Sequence, residues 1–215
     1  MGVGRDDRGE TAVDVEKTPL EGALVITPKK FGDERGWFMP GWNAAAYAAV
    51  GVPGPFVQDN ISHSVRGTLR GLHFQNPDAQ GKLVQALVGA VYDVAVDVRV
   101  GSPSFGRWHA VTLSAENRKQ FYIPQGFAHG FAVLSDTALF HYKIDGGGYN
   151  PAAEHSLLWN DPALSIPWPV ADPILSEKDV KGKPLADFAE ADLPRYVAVS
   201  AAAAEKIFGD QFGGG

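Results

Sequence analysis

The sequence contains no cysteine, so disulfides, thiolate nucleophiles and Cys-ligated zinc are excluded. No eighteen apolar residues run together, the length a membrane-spanning helix needs. The first twenty residues carry many charges and lack the apolar segment of a signal peptide. Basic residues are the minority, 19 Lys and Arg against 25 Asp and Glu, for a net charge of −6. Neutralising phosphate backbones takes a basic surface, so general nucleic-acid binding is not expected. A small anionic ligand needs only a few local cations and stays open. The glycine fingerprints GxGxxG and GxxxxGK[ST] are both missing, which argues against a dinucleotide fold and a P-loop. These absences suggest a soluble chain with no membrane partner, and a cysteine-free composition fits the cytoplasm.

What is present suits one folded domain: 215 residues, 45% of them hydrophobic, enough for a sizeable core. Residues 1–20 read as a polar, flexible leader, 21–185 as the folded domain and 186–215 as a C-terminal extension whose SAAAAEKIF stretch could be helical. Within the domain, short apolar runs are broken by Gly, Pro, Asn and Asp. Strands are expected at Leu24–Phe31, Val57–Ser64, Thr68–Gln75, Lys82–Val88 and Val91–Arg99. Further strands are expected at His109–Leu113, Gln120–Pro124, His129–Leu134 and Ala138–Ile144. One short helix is expected after Asn43, its N-cap, with Gly51 past its end. DGGGYN, from Asp145 to Asn150, reads as a loop.

In VYDVAVDVR, Tyr92, Val94, Val96 and Val98 share one face, while Asp93, Asp97 and Arg99 lie on the other. Such alternation favours an antiparallel sheet, since buried parallel strands are apolar on both faces. No long amphipathic helix separates successive strands, which argues against βαβ units. The expected class is all-β, a jelly-roll sandwich with a few short helices.

Single residues here are ambiguous. Strict alternation in Thr68–Gln75 puts Arg70 and His73 on opposite faces unless Gly71 marks a bulge. Alone, they also read as a solvent-facing arginine and a core histidine. Lys82 opens an apolar strand, where a lone lysine usually points to solvent. Tyr142 follows Ala138 and Phe140 in period two, and such a tyrosine is most often core.

The ordered set is far more specific. FGDERGWF, FVQDN, RGTLRGLHFQ, QGKLVQ, VYDVAVDVRVGSPSFGRW, LSAENRKQFYIPQGFAHGF, YK, WNDPAL and ILSEKD closely resemble the dTDP-4-dehydrorhamnose 3,5-epimerase family, from about Glu21 to about Leu185. The resemblance implies a cupin-type jelly roll, normally a homodimer, using neither a metal nor an organic cofactor. Its implied substrate is a dTDP-linked 4-keto-6-deoxyhexose. By matching motifs, His73 resembles the family's general base, Asp179 its carboxylate partner, Lys82 the cation near the carbonyl oxygen and Tyr142 the acid on the other sugar face. Arg35, Gln58, Asn60, Arg70 and His129 resemble substrate-binding positions. Two departures stand out: Met39-Pro40-Gly41 where the family usually carries a glutamate, and a longer, glycine-rich loop before Tyr149.

These residue types suit epimerisation beside a ketone. Hydrogens at C3 and C5 of a 4-keto sugar flank the carbonyl, and removing either leaves an enolate charged at the C4 oxygen. Such a carbon acid is weaker than imidazolium by roughly a dozen pKa units, or ~16 kcal/mol. An oxyanion donor contributes about 3–4 kcal/mol, and positioning can contribute ~7–11 kcal/mol. Histidine, with an unperturbed pKa of ~6.5, suits the base. Inversion then needs a proton from the opposite face, hence a second group across the sugar. A metal-dependent cupin is disfavoured because Phe-Gln follows His73, so the first motif lacks its paired HxH. A nonenzymatic binder would not need the four acid–base residues together. A monoepimerase of a deoxysugar pathway is the nearest alternative within the family.

Overall fold

The computed structural model describes residues 13–198. The chain opens with β1 (Val13–Lys17), β2 (Leu24–Pro28), the hairpin β3 (Phe31–Asp33) and β4 (Gly36–Phe38), and helix α1 (Ala44–Ala48). Long strands follow: β5 (Phe56–Val65), β6 (Leu69–Gln75), β7 (Lys82–Val88) and β8 (Ala90–Asp97). Then come β9 (Trp108–Ser114), β10 (Gln120–Ile123), β11 (Phe127–Val133) and β12 (Thr137–Asp145). Edge strand β13 (Glu154–Ser156) and helix α2 (Glu177–Val180) complete the framework.

One sheet has the order β1-β2-β10-β7-β12-β5 and the other β13-β6-β11-β8-β9. All the ladders are antiparallel. The fold is a cupin-like jelly roll, and the nine expected strands fall within a few residues of β2 and β5 to β12, while β1, β3, β4 and β13 were not expected. In α1 the Asn43 side chain accepts a hydrogen bond from the Ala46 amide, which satisfies one of the helix's free donors. Gly51 follows with φ +92°, a conformation suited to glycine just beyond a helix.

Alternation along the strands builds the interior. Phe140 and Tyr142 of β12 meet Phe131 of β11 and Val84 and Ala86 of β7 between the sheets. Phe131 and Phe140 lie 4.3 Å apart, centroid to centroid. Fully burying side chains of this size stabilises the fold by ~1.5–3 kcal/mol each. The outer face of the six-stranded sheet carries a second cluster around Tyr47 of α1, Ile26 and Tyr122.

Strand β8 shows why its two faces differ in sequence. Val94, Val96 and Val98 pack outward against Leu157, Leu164 and Leu193 from the C-terminal segment. Val91 and Ala95 face the inter-sheet core, and Asp93, between them, is fully buried. The polar face is therefore the inner one, and the apolar face is covered by later chain.

The expected domain edges shift at both ends. Residues 13–17, assigned to the flexible leader, form β1 and pair with β2 from Val13↔Pro28 to Lys17↔Leu24. Leu20 is 1% exposed. Alternation of Val13 and Val15 with charged residues lets β1 cover one side of β2. Beyond residue 185, Phe188 packs on Phe74 at 5.4 Å, and Arg195 bridges to Val100. The SAAAAEKIF helix expected in the tail lies outside the described residues.

Candidate active site

The two sheets enclose a cavity of about 730 Å³. From the five-stranded sheet it is lined by Arg70 and His73 of β6 and His129 of β11; from the other sheet by Gln58 and Asn60 of β5, Lys82 of β7 and Tyr142 of β12. Asp179 of α2 also reaches it. Eight of the nine residues named from sequence thus converge. Arg35 does not: it sits on the β3–β4 hairpin beside a separate cleft, held by Asp33 at 2.6 Å.

Glycine explains how Arg70 and His73 share the cavity. The β6–β11 register runs His129↔His73 and then Phe131↔Arg70, so three steps on β6 oppose two on β11. A Cβ on Gly71 would lie 2.6 Å from the His129 carbonyl oxygen, and one on Gly130 would lie 2.6 Å from that of Arg70. Only glycines allow strands this close, and the extra residue turns Arg70 to the side of His73.

His73 Nε2–H donates to Asp179 Oδ1 at 2.6 Å. The other carboxylate oxygen accepts from the Ser176 hydroxyl at 2.7 Å, within a capping box at the start of α2. Burial would raise the Asp179 carboxyl, but hydrogen bonds from His73 and Ser176, with the His73 charge and the Gly71 amide, hold it below the usual range. With Nε2–H engaged, Nδ1 is the atom of the neutral ring that can take a proton. Tyr142, on the opposite sheet, is directly across from Asn60. Its phenol is raised by burial, opposed by Arg70 and reinforced by Glu154. Burial lowers Lys82 to about 8, against the pull of Glu154 and Asp93 and with the push of Lys178.

The structure adds residues that sequence reasoning passed over. Glu154 of β13 accepts from Lys178 Nζ at 2.7 Å and from the Tyr149 hydroxyl at 2.9 Å, closing one side of the cavity. Tyr149 ends the glycine-rich loop, which is anchored where Gln75 Nε2 donates to the Gly148 carbonyl at 3.1 Å. Lys178 lies inside the ILSEKD motif beside Asp179, whereas Glu154 has no motif around it. Among the described residues no three His, Asp or Glu side chains are grouped as metal ligands would be.

A β-sandwich with a carboxylate-backed imidazole on one inner wall and a phenol and an ammonium on the other belongs to the cupin-like sugar epimerases, an isomerase class. A profile of the dTDP-4-dehydrorhamnose 3,5-epimerase family matches residues 17–187. The chain belongs to that family. It is 52% identical over 177 residues to the dTDP-4-dehydrorhamnose 3,5-epimerase of Shigella flexneri, covering 81% of this chain and 97% of that one. A dTDP-4-dehydrorhamnose 3-epimerase of Streptomyces niveus is 41% identical over 185 residues, 85% of this chain and 89% of that one. The crystal structure of a dTDP-6-deoxy-D-glucose-3,5-epimerase from Legionella pneumophila, in complex with dTDP-4-keto-L-rhamnose, matches with a TM-score of 0.83 and 48% identity. That match covers 86% of this chain and all of the other.

Proposed function

We propose that this enzyme is a dTDP-4-dehydro-6-deoxyglucose 3,5-epimerase that forms dTDP-4-dehydro-L-rhamnose. The observation that carries the mechanism is the placement of His73 and Tyr142 on opposite sheets across one cavity. A sugar ring held between the sheets presents one face to each. His73 Nδ1 removes the proton beside the C4 ketone, and Asp179 stabilises the imidazolium that forms. Lys82, which lines the same cavity, stabilises the enolate charge at the C4 oxygen. Tyr142 returns a proton to the other face, which inverts the carbon; a single base would return it to the original face. Arg70, Gln58, Asn60 and His129 hold the substrate, and the guanidinium suits the diphosphate. None of these steps draws on a metal or an organic cofactor.

We also propose a homodimer. On the edge strand β5, Val57 and Ile61 are 57% and 64% exposed. Trp37 and Phe38 on the hairpin are 58% and 66% exposed. Docking of these surfaces on a second copy would bring Arg35 to the partner's cavity, which its position in this chain does not allow. Among the described residues no helix is long and apolar enough to cross a membrane, and the cysteine-free sequence supports a cytoplasmic location.

The deciding experiment is incubation with dTDP-4-keto-6-deoxyglucose in D2O containing EDTA, followed at C3 and C5 by NMR. Deuterium at both carbons with trapped L-rhamno product is the expected result. Incorporation at one carbon would replace this reading with a monoepimerase, the activity named for the Streptomyces niveus relative. Binding with no incorporation would remove the epimerase reading altogether.

A further inference from the structure

Lys82 is the first residue of β7, and the end of a strand is where a ladder opens most easily. Its ammonium forms no hydrogen bond or ion pair among the described residues, so its tip is not what fixes its place. The lysine stem is four carbons long and flexible, and a shift at its root is passed on to the charge. What holds that root lies outside the cavity, one residue upstream.

Gly81 is gripped at both of its backbone groups by Asp145, the last residue of β12. The Gly81 amide donates to Asp145 Oδ1 at 2.8 Å, and the Asp145 amide donates to the Gly81 carbonyl at 3.0 Å. The same Oδ1 accepts from Gln125 Nε2 at 2.8 Å, just beyond the end of β10. One carboxylate thus ties together the ends of β10, β7 and β12, which are neighbours in the sheet. Asp145 is 5% exposed, and no cation pairs with it among the described residues. Neither Asp145 nor Gly81 lines the cavity, whereas Lys82 and Ile144, paired with each other across the ladder, both do.

The carboxylate also explains the glycine. Gly81 does not lie in the left-handed region, so its backbone makes no demand for glycine. A Cβ on it, however, would lie 2.7 Å from Asp145 Oδ1 and closer still to Oδ2. A bond from an amide to an ionised acceptor is roughly twice as strong as one to a neutral acceptor. The glycine-rich loop leans on the same turn, since a Cβ on Gly146 would lie 2.5 Å from the Ala79 carbonyl oxygen.

We infer that Asp145 is a positioning residue of the epimerase site: its carboxylate clasps Gly81 and thereby sets where the Lys82 ammonium stands in the cavity. The inference rests on the proposed role of Lys82 at the enolate. An oxyanion donor works only in its place, and a displacement of about 1 Å costs on the order of 10²-fold in rate.

The test compares the full-length protein with Asp145→Ala, Asp145→Asn, Gly81→Ala and the Gly81→Ala/Asp145→Ala double variant, each checked for native fold by circular dichroism. With dTDP-4-keto-6-deoxyglucose, Asp145→Ala should lower kcat by roughly 10–100-fold, while dTDP affinity stays within about 2-fold. Asp145→Asn keeps an acceptor for the Gly81 amide and should recover kcat to within about 5-fold of the parent. Gly81→Ala parts the same two groups and should match Asp145→Ala. The double variant should fall no more than ~3-fold below either, because all three break one contact. Hydrogen exchange at the Gly81 amide, read by NMR, supplies a measure independent of turnover. Its protection should drop in Asp145→Ala and return in Asp145→Asn. An unchanged kcat in Asp145→Ala, or a loss confined to KM, overturns the inference. So does an additive loss in the double variant, or failure of the alanine variants to fold, which would assign Asp145 to the fold alone. An inactive parent protein whose Gly81 protection still follows Asp145 would instead sink the epimerase reading and leave the clasp standing.

Discussion

His73 and Asp179 lie 106 positions apart in sequence and 2.6 Å apart in space. The same carboxylate closes the N-terminal capping box of α2. One aspartate therefore orients the proposed base and anchors the helix that carries it. Asp179→Asn keeps the size of the side chain but removes the charge that stabilises imidazolium. Turnover should fall by about 10²-fold or more, with dTDP affinity little changed by calorimetry. Near-normal turnover would detach Asp179 from the chemistry.

His73→Ala should lower kcat by at least ~10²–10⁴-fold, the usual contribution of a positioned base. Deuterium exchange at C3 and C5 should be lost together. Exchange persisting at the parent rate would show that another group removes the protons.

Tyr142→Phe should separate two processes that the parent enzyme couples. His73 would still exchange the substrate proton for deuterium, but nothing would deliver one from the other sheet. NMR should show label in recovered substrate of unchanged configuration; normal epimer formation would take Tyr142 out of the acid role.

Lys82 should cost the fold stability. Its value drops from 10.5 to about 8 because burial disfavours the ammonium. Between those values the unfolded chain binds more protons, so stability rises with pH across that window and the cost is fully present below it. Lys82→Met should raise stability at pH 7 by about 1–2 kcal/mol, a few degrees in Tm, while abolishing turnover. A lower Tm would contradict this.

Asp179 works in the opposite direction. Its folded value lies below that of an unfolded carboxyl, so its stabilisation is complete above the unfolded value near ~4 and is lost as pH falls through the lower folded value. Urea titrations from pH 6 to pH 2 should show a shallower acid loss for Asp179→Asn than for the parent. Parallel curves would assign acid unfolding to other carboxylates.

Much of this was legible in the sequence because the physics was local. Turn residues punctuate the strands, and period two in β12 already set Phe140 and Tyr142 on one face. The convergence of His73, Lys82, Tyr142 and Asp179 came from matching motifs; no local pattern announces a contact 106 residues long. Arg70 and His73 share a face only through the close approach of Gly71 to Gly130, a property of two strands together. Asp93 was visible as the polar half of an alternation, but which half faces inward depends on Leu157, Leu164 and Leu193 covering the other. Residues 13–17 looked like leader because an edge strand with one buried face carries as many charges as a tail.

The capping box has a consequence for the life of the chain. Strand β13 ends at Ser156, so both sheets have been translated before Ser176 and Asp179 emerge from the ribosome. The sandwich can close around its cavity while His73 still lacks its anchor. On the proposed mechanism, competence then waits on a separate, later event, the docking of a helix of four residues. Fraying of that single turn would silence the proposed base while the sheets remain intact.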